Sequence, residues 1–131
     1  MPKRRQALKL RIPPYSPPRT EWRRSLHSEL TKACRENKIR YGSNDKLELE
    51  VVLYLGTRQL GVHDVDNRLK DIMDSLQGRA GGSKKARTLA PIIANDSQIY
   101  KVTIEKKPPP KQSHGLGHLV IKRYKAAAKE I

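Results

Sequence analysis

The residues best suited to chemistry lie in one short run, His-Asp-Val-Asp-Asn-Arg-Leu-Lys-Asp-Ile-Met-Asp-Ser-Leu-Gln-Gly, residues 63–78. Asp64, Asp66, Asp71 and Asp74 crowd together here, in a chain with 28 Lys+Arg against 13 Asp+Glu and a formal net charge of +15. Positions two apart in an extended segment point the same way, so Asp64 and Asp66 converge just before a helix. On the helix Asp66, Lys70 and Asp74 form one ridge, and Asn67 lies a step around it. Two carboxylates about 4 Å apart repel by roughly 1 kcal/mol in water, and by more in a partly dry site. A divalent cation reverses that sign. Mg²⁺ typically takes one or two carboxylates together with substrate phosphates, and metal-activated water then suits phosphodiester hydrolysis. A plainer reading stands beside it, because aspartates are favoured at helix starts as caps and by the macrodipole. Spacing alone leaves both open.

Two other readings of the loops fail. A calcium-binding loop needs glycine at its sixth position, and Arg68 already occupies the fifth. The run Gly-Arg-Ala-Gly-Gly-Ser-Lys-Lys is no phosphate loop, because Ser83 stands where glycine must precede the lysine.

Stepping outward, 131 residues suit one domain with one core. No run approaches the roughly 18 apolar residues of a membrane span, and Met-Pro-Lys-Arg-Arg-Gln-Ala-Leu-Lys-Leu lacks the apolar region of a signal peptide. The single Cys34 excludes an intramolecular disulfide and suits a reducing cytoplasm. The basic balance points to a polyanion, nucleic acid first, because neutralised phosphates release counterions. Anionic lipid fits less well, since no basic helix with a strong apolar face stands out.

The elements that must hold the acidic run follow from periodicity. Residues 7–12 alternate as a strand, and Pro-Pro-Tyr-Ser-Pro-Pro stops it. Trp22, Leu26, Leu30 and Ala33 recur at helical spacing, with Thr20 placed to cap and an end between Asn37 and Gly42. Residues 46–55 form the clearest strand, with Leu47, Leu49, Val51, Leu53 and Leu55 on one face. Its other face turns from charged to apolar, which predicts a strand running from an edge into a covered region. Val65, Leu69, Ile72, Met73 and Leu76 fit one helix face, and Gly78 ends that helix in a left-handed conformation. A strand after Asp96 places Tyr100, Val102 and Ile104 on one face. A proline-rich turn leads to a last strand over 118–125. The order strand, helix, strand, helix, strand, strand predicts a small α/β domain of the α+β type, a mixed sheet packed by two main helices.

The run from Asp64 to Gly78 resembles the D-x-D-N-x-x-K-x-x-x-D-x-L signature of the RusA family of Holliday junction resolvases. Asn-Asp-Ser-Gln-Ile, Asn95 to Ile99, resembles the family's acidic residue at the start of a strand, and the early Ile-Pro-Pro turn sits in family order. The resemblance implies a RusA-like fold and a homodimeric, metal-dependent endonuclease that resolves four-way junctions by paired nicks. It implies Asp64, Asp66 and Asp96 as catalytic carboxylates holding Mg²⁺, with Mn²⁺ as a substitute. Lys70 is the implied essential lysine at the scissile phosphate or the attacking water, and Asn67 supports the site. Asp74 matches the signature too, with a structural role weighted equally. Asp71 matches no position and reads as a solvated helix charge.

Two features depart from the family. His63 stands where arginine is frequent, as a phosphate contact or a polar loop residue. The interval 79–95 is longer than usual and basic. Its Arg79, Lys84, Lys85 and Arg87, with Arg68 on the helix, are expected DNA contacts; the alternative for the loop is a disordered flap until DNA binds. His114 and His118 read as loop and edge-strand residues rather than zinc ligands. Tyr15, Tyr41 and Tyr124 are candidates for stacking on bases or for partial burial. A non-catalytic, ribosomal-protein-like binder explains the charge equally well, but not the gathering of five of six aspartates between residues 64 and 96.

Overall fold

The computed structural model describes residues 7–56, 60–61, 64–80, 89–112 and 114–125. Strand β1 (Ala7–Ile12) leads to helix α1 (Arg19–Asn37), strand β2 (Leu47–Tyr54), helix α2 (Val65–Leu76), a 3₁₀ turn (Asp96–Gln98), and strands β3 (Ile99–Lys107) and β4 (Gly117–Arg123). The four strands form one mixed sheet in the order β1-β4-β2-β3. β4 is antiparallel to both β1 and β2, whereas β3 is parallel to β2. Strands β1, β2 and β3 therefore point one way. Each helix follows one of them and returns across the same face, which sets the starts of α1 and α2 at one end of the sheet.

Alternation decides which strand residues meet the helices. Leu8 and Ile12 of β1, Leu47, Leu49, Val51 and Leu53 of β2, and Leu119 and Ile121 of β4 share one core with Trp22, Leu26, Leu30, Ile72 and Leu76. Full burial of each such side chain stabilises by about 1.5–3 kcal/mol. Offsets of four and eight residues put Trp22, Leu26 and Leu30 on one stripe of α1, and that stripe faces the sheet. The opposite sheet face is charged where β2 begins. There Glu48 lies within 3.8 Å of Lys101 and 3.9 Å of Lys122, and Lys122 also reaches Glu50 at 2.5 Å.

Four expectations change. α1 starts at Arg19 behind Pro18, so Thr20 is not its cap; proline lacks an N–H and suits a helix start. From Leu47 to Val52, β2 lies between β4 and β3 rather than entering from an edge. β4 is an inner strand, which removes His118 from an edge. A bulge shifts the register between Leu47↔Ile99 and Glu48↔Lys101. It turns Tyr100 outward, 54% exposed, while Val102 and Ile104 keep to the core. Tyr100 instead packs on Tyr124, with ring centroids 5.3 Å apart.

Helix ends match the sequence more closely. Lys38 closes α1 in a left-handed conformation, φ 55°. Gly78 follows α2 at φ +79°, and a Cβ there would lie 2.2 Å from the Leu89 carbonyl oxygen. Only glycine fits that approach. The two ends of the long interval are tied down: Leu89 N–H donates to Gly78, and Ile92 and Ile93 N–H both donate to the Leu76 carbonyl. His63, Lys84, Lys85 and Arg87 lie outside the described residues.

Candidate functional site

Asp64 is the N-cap of α2, in extended backbone, yet its side chain makes no capping hydrogen bond. The capping reading of this residue thus lacks its main interaction. Asp66 sits in the first turn, and Asp64, Asp66, Asn67 and Lys70 are all exposed. Among the described residues no ion pair reaches Asp64, Asp66, Lys70 or Asp96. Two unpaired carboxylates therefore stand at the positive end of a helix dipole, with Lys70 one turn along.

Asp71 is the largest departure from the sequence reading. It is wholly buried rather than solvated. Its Oδ1 accepts from Arg19 Nε at 3.0 Å and from Arg23 Nε at 2.9 Å. Arg68 Nη2 lies 3.2 Å from Oδ2 as a charge contact. Arg68 is buried as well, its guanidinium 3.7 Å from the centroid of Tyr15 and 5.8 Å from that of Trp22. That burial removes Arg68 from the expected DNA contacts, because the side chain is committed to a carboxylate and an aromatic face. It also gives Tyr15 a packing role. Asp74 pairs with Arg23 at 3.2 Å, which favours its structural role. The Ser75 hydroxyl, bonded to the Arg23 and Asp71 carbonyls, completes the join between α1 and α2.

Asp96 is presented differently. Asn95 and Gln98 form a capping box: Asn95 Oδ1 accepts from Ser97 N–H at 2.8 Å, and Gln98 Oε1 accepts from Asn95 N–H at 3.1 Å. Gln98 Nε2 also donates to the carbonyls of Gly42 and Asp45, at 2.7 and 2.9 Å. Asp96 N–H donates to Gln77 Oε1 at 3.3 Å. The turn is fixed, and the Asp96 side chain stands exposed upon it. Sequence reasoning named Asp96 but missed Asn95, Gln98 and Gln77 as its holders. The Asn-x-x-Gln spacing was the available signal.

Gln77 caps the C-terminal end of α2, whereas Asp64 and Asp66 occupy its beginning. At 1.5 Å per residue, Asp66 and Gln77 are separated by roughly 16 Å along the axis. The protomer therefore places Asp64, Asp66 and Lys70 at the start of α2 but holds Asp96 at the far end of the helix. Among the described residues no group of three or more His, Cys, Asp or Glu side chains is placed to hold a metal ion. The three-carboxylate cluster expected from sequence does not form within one chain; Asp64 and Asp66 alone remain a fit for an ion that needs only one or two carboxylates.

Of the remaining expected contacts, Arg79 is half-buried just past α2, and its Nε is buried with no hydrogen-bond partner among the described residues. His118 sits inside the sheet with its ring edge-on to Tyr54, centroids 5.6 Å apart. Partial burial, then the nearby charges of Arg11 and Lys107, hold its pKa below the ordinary histidine value. Tyr41 is half-buried against the core, and burial pushes its phenol pKa well up. Comparison of the chain with protein-family models and with curated proteins gave no match. No helix among the described residues is long and apolar enough to cross a membrane.

Proposed function

We propose that this chain is a metal-dependent endonuclease of branched DNA, RusA-like in fold and working as a homodimer on four-way junctions. The observation that carries the reading is the exposed Asp64, Asp66 and Lys70 group, which has no ion pair among the described residues. Isolated carboxylates in so basic a chain are expected where a cation and a phosphate come between them and the surrounding charge. Asp64 and Asp66 would hold Mg²⁺, or Mn²⁺ in its place. When bound, the ion supplies a water of lowered pKa and offsets charge gathering on the phosphate. Lys70, one turn from Asp66, donates to a non-bridging phosphate oxygen and steadies the strand for in-line attack. Asn67 is placed to orient the acid pair.

A dimer answers the separation of Asp96. Two copies of α2 packed antiparallel about a two-fold axis set the start of each helix beside the end of the other. Asp64 and Asp66 of one protomer then meet Asp96 of its partner, twice over. Leu69 and Met73, half-buried one turn apart on α2, offer apolar surface for that contact. Two sites related by a two-fold axis suit a junction that is itself roughly two-fold.

The test is cleavage of four-way junction, fork, flap and linear duplex with Mg²⁺ or Mn²⁺, beside an Asp66→Asn control. Paired, symmetric nicks in the junction, absent from the control, are expected. Failure to cut any of these DNAs in either metal would overturn the nuclease reading and leave a non-catalytic nucleic-acid-binding protein.

A further inference from the structure

Far from the start of α2, a groove runs between the exposed side of α1 and the segment 89–92. Its upper part, a depression of about 850 Å³, is lined by Arg24, Lys32 and Arg35. Its lower part, about 470 Å³, is lined by Arg35, Lys38 and Arg40. Arg35 lines both, so the two parts adjoin at that side chain. The far wall is held firmly: His27 Nε2 lies 2.6 Å from the Ala90 carbonyl, and Ile92 and Ile93 are bonded to Leu76.

The pairing of these cations sets them apart. Arg19, Arg23, Arg68, Arg123, Lys101 and Lys122 all have carboxylate partners. Among the described residues Arg24, Lys32, Arg35, Lys38 and Arg40 have none, although all five are exposed. Glu36 is the one acid in the described lining. Five unpaired cations along one groove repel each other until a polyanion lies among them. Arg24 to Arg35 spans roughly 16 Å of helix, about the rise of five nucleotides of one DNA strand.

We infer that this groove binds the sugar-phosphate backbone of one DNA strand and guides it to Asp96. The lower end leads there directly, since Gln98 bonds the Gly42 carbonyl just past Arg40 and Tyr41. The inference rests on the proposed function for the identity of the polyanion, but not on the cleavage chemistry.

The test uses the whole 131-residue chain carrying Asp66→Asn, titrated with a labelled four-way junction between about 50 and 200 mM salt. Lys32→Ala with Arg35→Ala removes two groove charges. Lys9→Ala with Lys107→Ala removes the same charge from exposed strand residues outside the groove and serves as the control. The groove pair is expected to bind roughly tenfold more weakly at about 150 mM salt, with the log–log salt slope reduced by about two. The control pair is expected to change either quantity far less, and circular dichroism to show both variants folded. Equal weakening by the two pairs, or an unchanged slope for the groove pair, would overturn the inference. So would loss of binding to phosphatidylserine vesicles with junction binding retained, which would assign the groove to lipid. If the parent chain cuts no DNA but the groove pair still loses affinity, the nuclease reading fails and the groove stands.

Discussion

Asp66 and Asp71 are the same residue type, five positions apart on one helix, and their surroundings are opposite. Asp71 is wholly buried and receives three guanidinium groups; Asp66 is exposed and has no cationic partner among the described residues. A buried carboxylate is tolerated only when its charge is answered within the fold. An exposed one at a helix start remains free to answer a charge from outside. The acidic run is therefore two devices, one joining α1 to α2 and one available to a ligand.

Substitutions should divide along that line. If Asp64 and Asp66 hold the ion as proposed, Asp64→Asn or Asp66→Asn should cost several kcal/mol in the transition state, or about a thousandfold in cleavage rate. The melting temperature of either variant should stay within about 1 °C of the parent, because no ion-pair partner among the described residues is lost. Large destabilisation of Asp66→Asn would erase the distinction.

Asp71→Asn should do the reverse. It leaves Arg68 buried without a counter-charge, which costs about 3–5 kcal/mol and lowers the melting temperature by about 10–20 °C. Arg19 contributes least to this join, since its side chain is 41% exposed; Arg19→Ala should cost about 1 kcal/mol or less. Thermal melts of the two variants side by side check the ranking.

Gly78→Ala probes the far end of α2. The positive φ and the 2.2 Å approach to the Leu89 carbonyl predict a loss of about 2–3 kcal/mol, measured by urea unfolding. The loosened end should also weaken the hold on Asp96, because Gln77 is the neighbouring residue.

The smallest effect lies outside both devices. His118 has a folded pKa below its unfolded value. Between these two values the unfolded chain binds more protons, so stability falls as pH drops below about 6.5 and levels off below the folded pKa. His118→Gln should flatten that part of the stability–pH curve and leave the Asp66 and Asp71 effects unchanged.

Much of the fold was legible because its signals are local. Alternation over Ala7–Ile12 and helical spacing from Trp22 to Ala33 each lie within one element, and so does the stop at Gly78. The order of the strands was not legible: β4 enters between β1 and β2 through pairings such as Leu8↔Ile121, more than a hundred residues apart. The bulge that turns Tyr100 outward depends on register against β2, which alternation along β3 does not encode. At the site, Asp64, Asp66 and Lys70 were named from a contiguous run. The roles of Asp71 and Arg68 were misjudged because the arginines that share Asp71 come from α1, 48 and 52 positions away. The distance of Asp96 followed only from the direction of α2 over the sheet.

The separation of Asp96 from the acid pair gives the most direct measurement. Asp66→Asn and Asp96→Asn chains, each expected to be inactive alone, are refolded together, and nicking of a four-way junction in Mg²⁺ is scored. Subunits that complete each other's sites regain one intact site in each mixed dimer, so about half of the dimers should nick one strand. A mixture as inactive as its components would contradict a site shared between protomers.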